Sequence, residues 1–409
     1  MVYVLNIHNK PLMPTIRFGK VRRLLRDNKA KVVKRCPFTI KLLYEVEDKT
    51  QEITLGVDAG SKTIGLSATT KDKELFSAEY ELRNDIVKKL SARRECRRTR
   101  RNRLRYRKPR FNNRTSTKKK GWLAPSIRHK IDSHLNIVRD IHNLLPITNI
   151  IVEVASFDIQ KIKNPDIQGK DYQQGEQLGF WNVREYVLFR DGHICQHCKG
   201  KSKDPILNVH HIESRQTGGD SPSNLITLCK TCHSDYHKGT LELNIKRGKS
   251  FRDAAFMGIM RWTFYNRLRE DYPSLSLTYG YLTKNKRIKN NLPKEKRTGA
   301  YCIANNLHAK RLEHYFHYKK VRCHNRQIHK RNIQKGGKLR NNQAPYVVKG
   351  FRLFDKVKYQ GKSYFIFGRR QTGAFDIRDL KGNKVNKGSI SYKKLEFVEA
   401  RKTTLTERM

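Results

Sequence analysis

The sequence predicts a multidomain α/β protein, and three features carry that prediction. Short β-branched strands, each with one lone acid, alternate with basic helical stretches. A module with two Cys-x-x-Cys pairs, beginning at Cys195, interrupts the alternation. After Gly350 the pattern changes to short strands separated by turns, as in a small β-barrel or roll. A chain of 409 residues has room for roughly two to four such domains.

Charge sets the partner class. Against 37 Asp+Glu stand 88 Lys+Arg, a net charge of +51. Such a surface repels itself unless a polyanion neutralises it, which excludes an ordinary metabolic enzyme and implies nucleic acid. No stretch approaches the roughly 20 apolar residues of a membrane span. The polar N-terminus does not read as a signal peptide, so a cytoplasmic protein without a membrane partner is expected. Of the eight cysteines, four form the two pairs and four (Cys36, Cys96, Cys302, Cys323) are scattered. That distribution suits a reducing compartment and a metal site rather than a disulfide framework.

Residues 1–50 read as a small β-rich module: a strand from Val2, a turn at Pro11-Leu12-Met13-Pro14, a basic helix over 19–26 and a strand over 38–46. It is too small to be an enzyme alone, and its helix suggests an accessory nucleic-acid contact. The next strand, Ile53-Thr54-Leu55-Gly56-Val57-Asp58, carries an acid at its end before Ala59-Gly60 and a returning strand. A carboxylate at the end of a buried strand is costly without a cation. A second strand, Asn149-Ile150-Ile151-Val152-Glu153-Val154, repeats the pattern. Asp58 alone could be a turn residue; Asp58 and Glu153 together are what a divalent-cation site in a sheet needs.

Between these strands, residues 93–110 hold ten arginines. As a helix this stretch has no apolar stripe, so a protein core cannot hold it. Arg93, Arg94, Arg97, Arg98, Arg100, Arg101 and Arg105 are candidates for guanidinium contacts to an RNA or DNA backbone. Basic helices are expected over 251–270, a strand over 276–282, and a helix from Ala300 leading into the basic run that reaches Tyr318. The C-terminal strands are expected over 351–359, 363–368, 373–378 and 393–398, with 401–409 as a mobile tail.

Cys195-Gln196-His197-Cys198 and Cys229-Lys230-Thr231-Cys232 supply four thiolates for one structural Zn²⁺. Val209-His210-His211-Ile212, the stretch from Ser214 through Gly218-Gly219, Asn224-Leu225 and His233 are set among and just after these pairs. That order resembles the ββα-metal module of HNH endonucleases. The resemblance implies His211 as the general base, His210 and His233 as ligands of one Mg²⁺ (or Mn²⁺), and Asn224 as the residue that orients the loop carrying the base. His193, His197 and His237 are read as surface or supporting histidines without a catalytic role.

An HNH module set between acid-bearing strands and a later helix resembles one architecture, a split RuvC (RNase H-like) nuclease. Leu55-Gly56-Val57-Asp58-Ala59-Gly60 looks like its first motif and Ile151-Val152-Glu153 its second, with Asp58 and Glu153 as metal ligands. The arginine stretch resembles a bridge helix, and Asn9-Lys10-Pro11-Leu12-Met13-Pro14 resembles an N-terminal PLMP domain. Together they resemble the IscB family of transposon-encoded, RNA-guided nucleases. The resemblance implies a PLMP domain over 1–50, RuvC segments over 51–90, 126–175 and 246–345, and a bridge helix with linker over 91–125. It implies an HNH nuclease over 176–245 and a target-adjacent-motif domain over 346–400, where Arg369, Arg370 and Arg378 could reach DNA. It further implies an ωRNA guide, a target DNA duplex and a protein monomer in a ribonucleoprotein, with HNH cutting the guide-paired strand and RuvC the displaced one.

One departure matters. Where the family places a histidine and, three residues on, an aspartate before Ala-Tyr-Cys-Ile-Ala, this chain has Lys296 and Gly299. Glycine cannot ligate and an ammonium repels cations. The nearest acid, Glu295, is expected to face another way. A nickase that cuts through HNH alone is therefore expected. The competing readings are an HNH endonuclease of homing or restriction type that reads DNA through the protein, and an RNA-guided DNA-binding regulator without catalysis.

Overall fold

A computed structural model describes residues 1–87, 89–94, 121–154, 176–213, 219–246, 248, 252–323, 330–331, 339–340 and 345–409. The chain divides into two units, one of 1–86, 107–155 and 257–409 and one of 87–106 and 156–256.

The first unit begins with β1 (Val2–Leu5), β2 (Pro11–Thr15), helix α1 (Phe18–Arg26), β3 (Ala30–Lys34) and β4 (Thr39–Leu42). These strands form a sheet in the order β2-β1-β4-β3. The two-residue period of β1 divides its side chains between two cores. Val2 and Val4 pack with Leu12, Val21 and Ile40, while Tyr3 donates its hydroxyl to Leu75 O at 3.0 Å and stands edge-on to Phe76.

The chain then forms β5 (Thr54–Asp58), β6 (Thr63–Thr69) and β7 (Glu74–Glu81) as an antiparallel meander. Helix α2 (Pro125–His142) follows, with proline in its first turn, where a missing N–H costs nothing. Its buried residues Ile131, His134, Leu135, Val138 and Ile141 recur at helical spacing. Strand β8 (Asn149–Glu153) then lies parallel to β5.

The second unit supplies helix α3 (Val183–Arg190), β9 (Leu207–His211), β10 (Leu225–Cys229) and α4 (Lys230–Lys238). Asn182 caps α3, its side chain accepting from Glu185 N, and Gly239 ends α4 in the left-handed conformation. Helix α5 (Arg252–Asp271) leads back to the first unit.

There β11 (Leu275–Thr278) pairs parallel with β8, and α6 (Gly280–Lys289) and α7 (Lys296–Ala304) follow. Strand β12 (Phe316–Lys320) runs parallel to β7. After the two-residue strands β13 (Lys330–Arg331) and β14 (Leu339–Arg340) come β15 (Lys356–Tyr359), β16 (Lys362–Arg369), β17 (Ala374–Arg378), β18 (Ile390–Ser391) and β19 (Glu396–Glu399). Strand β20 (Thr404–Arg408) closes the chain.

The central sheet has the order β11-β8-β5-β6-β7-β12-β20. Leu55, Val57, Ile64, Leu66 and Ala68 are fully buried in its middle strands. Helix α7 lies directly on β5 and β6 because both strands carry a glycine beneath it. A Cβ at Gly56 would come within 2.0 Å of Ala300 O, and one at Gly65 within 2.0 Å of Lys296 O. That close approach sets the first turn of α7 over the end of β5.

Five expectations are corrected. The turn expected at Pro11-Leu12-Met13-Pro14 is strand β2, paired antiparallel with β1 at the edge of its sheet, where prolines without an N–H are tolerated. The helix expected from Ala300 starts at Lys296 and ends at Ala304, where Asn305 turns left-handed; the basic run that follows becomes β12, with Phe316 and Tyr318 buried on one face. The strand expected over 276–282 ends at Thr278, and α6 takes over at Gly280. The C-terminal module is a five-stranded sheet in the order β18-β17-β16-β15-β19, whose outer strands do not pair with each other. Residues 401–409 are not a tail: β20 extends the central sheet beside β12 and buries Leu405. Alternating threonine and a single leucine hide that strand in the sequence, because one buried residue suffices on an edge.

Candidate metal centres

In the second unit Cys195 lies beyond α3, and Cys229 ends β10 while capping α4, its sulfur accepting from Cys232 N at 3.5 Å. The sulfurs of Cys195, Cys198, Cys229 and Cys232 all lie within 4.8 Å of one another. A tetrahedral Zn²⁺ with Zn–S bonds of about 2.3 Å has S–S edges of about 3.8 Å, and Cys198 and Cys229 are 3.9 Å apart. Ser202 Oγ sits 3.3 Å from Cys198 Sγ and 3.1 Å from Cys229 Sγ. Hydrogen bonding from Ser202 draws the Cys198 thiol down, while burial pushes the Cys232 thiol of the same cluster up. The donor set and its spacing fit a structural zinc.

Strands β9 and β10 pair antiparallel, with Ile226 opposite His210 and Leu225 opposite His211. Successive residues of a strand face opposite ways, so the two adjacent histidines do different things. His210 is buried and meets the rings of His233 and His237 on α4, at centroid distances of 5.2 and 5.3 Å. His233 and His237, four residues apart, share one helix face and bring their Nε2 atoms to 3.3 Å. His210 Nε2 is buried without a hydrogen-bond partner among the described residues. Burial first, then the neighbouring His233 and His237, hold His210 down to about 4; burial also lowers His233. Neutral imidazoles with converging nitrogens, within 4.8 Å of one another, are arranged to bind one cation.

The sequence reading missed His237, although its i,i+4 spacing from His233 on a short basic helix was the available signal. Three nitrogens also change the expected ion. Mg²⁺ takes oxygen ligands, whereas an imidazole set suits Mn²⁺, Co²⁺, Ni²⁺ or Zn²⁺.

On the other face of the hairpin, His211 Nε2 lies 2.9 Å from Asp220 Oδ1. With Nε2–H donated to that carboxylate, Nδ1 keeps the free lone pair. Asp220 was also missed, since a lone acid beside two glycines reads as a turn. Asn224, fully buried, ties the intervening loop at both ends: Nδ2 donates to Glu213 O and Gly219 O at 2.9 Å, and Oδ1 accepts from Glu213 N at 2.9 Å. Residues 214–218 lie outside the described residues.

In the first unit, Asp58 and Glu153 stand opposite each other on β5 and β8. The cation beside Asp58 belongs to the chain itself: Lys296 Nζ lies 2.8 Å from Asp58 Oδ1. At position 299 a Cβ would come within 2.5 Å of Asp58 Oδ2. Burial pushes Asp58 up to about 6 against the pull of Lys296, with Glu153 adding to the rise. Glu295 bonds Arg297 Nε at 2.7 Å and takes no part. A bound ammonium and a bare Cα do not fit the divalent-cation site expected of Asp58 and Glu153. The turn after Asp58 is held by α2, where His134 Nε2 lies 3.1 Å from Gly60 O and Lys130 Nζ donates to Ser61 O at 2.8 Å.

Of the arginines named for RNA binding, Arg93 and Arg94 lie in a helical stretch, Arg94 exposed; Arg97, Arg98, Arg100, Arg101 and Arg105 fall outside the described residues. In the C-terminal sheet Arg378 pairs with Asp376, and Arg369 donates to Phe351 O at 3.2 Å. Arg370 is exposed, with its guanidinium donating to Ser389 Oγ at 3.1 Å.

Residues 2–175 match the family model described as RRXRR protein, and residues 195–239 match that of HNH endonucleases. The chain therefore carries an HNH endonuclease domain behind an RRXRR region. It is 44% identical to anaredoxin of Nostoc sp. over 41 residues, which is 10% of this chain and 54% of that protein. Two structures of Streptococcus thermophilus Cas9, in complex with the AGAA PAM and the GGAA PAM, are similar at 14% identity and TM-scores of 0.33 and 0.32. Each likeness covers 51% of this chain and 30% of the Cas9 chain, too partial to define the fold.

Proposed function

We propose that this chain is an RNA-guided DNA endonuclease of the IscB kind that nicks the guide-paired strand at its HNH site and leaves the displaced strand uncut. The reading rests on the order of parts: an RRXRR region, then an HNH domain with its histidines assembled. It also rests on a central sheet with three antiparallel strands followed by two parallel ones, the RNase H-like order. A net charge of +51 requires a polyanion on the scale of a structured guide RNA.

At the HNH site, Asp220 holds the His211 ring so that Nδ1 takes the proton of an attacking water. The water oxygen bonds phosphorus, the P–O3′ bond breaks, and the departing O3′ takes a proton from solvent water, giving a 5′-phosphate and a 3′-hydroxyl. A divalent cation held by His210, His233 and His237 would supply Lewis acidity to the phosphate and the leaving oxygen. Asn224 ties Glu213 to Gly219. The observation that carries nicking, as against double-strand cleavage, is the Lys296 ammonium on Asp58.

The test is a strand-labelled cleavage assay with RNA that copurifies with the protein. We expect cutting of the guide-paired strand, abolished by His211→Ala, with the displaced strand intact. Efficient cutting of the displaced strand that survives His211→Ala would overturn the nickase. Cutting with no discrete RNA present would return the reading to a protein-guided HNH endonuclease.

A further inference from the structure

Asn224 ends a single 3₁₀ turn, Pro222–Asn224, and the next residue begins β10 opposite His211. Strand β10 pairs with β9 along one edge. In an antiparallel pair, alternate residues turn their N–H and C=O groups away from the partner strand. Asn224 O faces β9 and accepts from Ile212 N at 2.9 Å, so Leu225 and Thr227 present their backbone groups to the outer edge. Both residues are buried, and buried backbone groups need partners.

The end of α3 and the residues beyond it supply them. Asp191 Oδ2 accepts from Thr227 N at 2.9 Å, and Gln196 N donates to Thr227 O at 2.9 Å. Arg190 Nη2 donates to Leu225 O at 2.9 Å and its Nη1 to Pro222 O at 2.7 Å. The same guanidinium bonds the Asp191 carboxylate through Nε at 2.8 Å and Nη2 at 3.0 Å, which fixes its plane. These two side chains are only 33% and 9% exposed. Pro222 O and Leu225 O flank the Ser223-Asn224 pair, so one planar fork spans the turn that carries Asn224. A lysine has the charge without the fork.

From that turn to the general base is a short path. Asn224 bonds Glu213 N, Glu213 O and Gly219 O. Glu213 lies two residues beyond His211, and Gly219 precedes Asp220, whose carboxylate meets the His211 ring. The cysteine cluster fixes the opposite end of β10, at Cys229.

We propose that Arg190 is a positioning residue of the HNH reaction, its guanidinium locking the Pro222–Leu225 turn so that Asn224 sets Glu213 and Gly219, and through them His211 and Asp220. The inference rests on the nicking reading and gives Arg190 no contact with DNA.

The test uses full-length protein with the RNA it retains, saturating Mn²⁺ and a labelled duplex that matches that RNA. Arg190→Lys should lower the single-turnover nicking rate about 10–100-fold, as a displaced reacting group does, with target affinity and zinc content unchanged. Its Glu213 amide, which donates to Asn224 Oδ1, should exchange with solvent about tenfold faster, while the amides of β9 and β10 keep their protection. Asn224→Ala should slow nicking, and adding Arg190→Lys to it should slow it no further, because the arginine acts through the asparagine. Losses that multiply in the double variant, or an unchanged Glu213 amide in Arg190→Lys, overturn the proposal. So does a loss of zinc and of protection throughout the hairpin, which would make Arg190 a folding residue. A wild type that cuts neither strand fells the nuclease reading and the proposal with it. A wild type that cuts while Arg190→Lys cuts as fast overturns the proposal alone.

Discussion

Lys296 Nζ lies 2.8 Å from Asp58 Oδ1, and on the same carboxylate Oδ2 is 2.5 Å from where a Cβ at residue 299 would be. Lys296 and Gly299 are therefore one arrangement. The ammonium pins the carboxylate, and the pinned carboxylate occupies the space that any side chain at 299 would enter.

Gly299→Asp alone should accordingly be destabilising, by about 1–3 kcal/mol for the forced packing, with a like charge added beside Asp58. Lys296→His alone should leave Asp58 without its ammonium. The double variant should be better than the sum of the two, because both act on Asp58. Thermal unfolding measures the coupling, and Mn²⁺ titration calorimetry shows whether a cation site has been rebuilt. If Gly299→Asp alone gives a stable protein that breaks both strands, the lysine is not what disables this centre.

Burial sets a second prediction. Asp58 titrates at about 6 against a reference of 3.8, so between those values the folded chain holds more protons than the unfolded one. Stability is thus lost as pH rises from about 4 to about 6, and stays lost above. Asp58→Asn keeps the shape without the charge and should raise stability at pH 8 by on the order of 3 kcal/mol. His134, fully buried and held at about 4 against 6.5, has the opposite sign. There the unfolded chain holds more protons, and stability falls as pH drops from 6.5 toward 4. In wild type the two slopes oppose each other; in Asp58→Asn the acid-side loss should emerge alone. A melting temperature at pH 8 below that of wild type would contradict this account.

The sequence carried the chemistry of the sites further than their partners. Cys195, Cys198, Cys229 and Cys232 are legible because two-residue gaps have few other uses, and Asp58 and Glu153 because an acid in a β-branched run is costly. His237 and Asp220 were not, since a histidine near a helix end and an aspartate beside glycine are ordinary surface residues until α4 sets His237 against His210 and Asp220 meets His211. Lys296 was legible as a departure, but its contact with Asp58 depends on two glycines in β5 and β6, whose role appears only once α7 rests on them. The C-terminal strand was lost for a similar reason: Leu405 is its one fully buried residue, and period 2 cannot be read from one point.

The cysteine cluster is expected to make the second unit dependent on metal. Its core around Ile226 and Leu228 includes Cys195, Cys229 and Cys232 themselves, so four unligated thiols would leave little to hold the hairpin. Purified protein should contain close to one tightly held zinc per chain. Cys195→Ser/Cys232→Ser should lose that zinc and nicking together, and elemental analysis with limited proteolysis across residues 176–245 would record both. Full activity and protease resistance in a zinc-free double variant would exclude a structural role.

The histidines separate proton transfer from cation binding, and three variants should divide accordingly. His211→Ala removes the base and should cut nicking about 10²–10⁴-fold while leaving cation affinity in place. Asp220→Asn keeps the ring but weakens its anchor at Nε2, and a smaller loss of about 10-fold is expected. His237→Ala removes one of three converging nitrogens. Its loss should therefore appear as weakened cation binding that excess Mn²⁺ partly restores, whereas His211→Ala should gain nothing from added metal. Single-turnover rates across a Mn²⁺ series distinguish the two patterns. Equal metal rescue of His211→Ala and His237→Ala would mean that His211 is a ligand rather than the base.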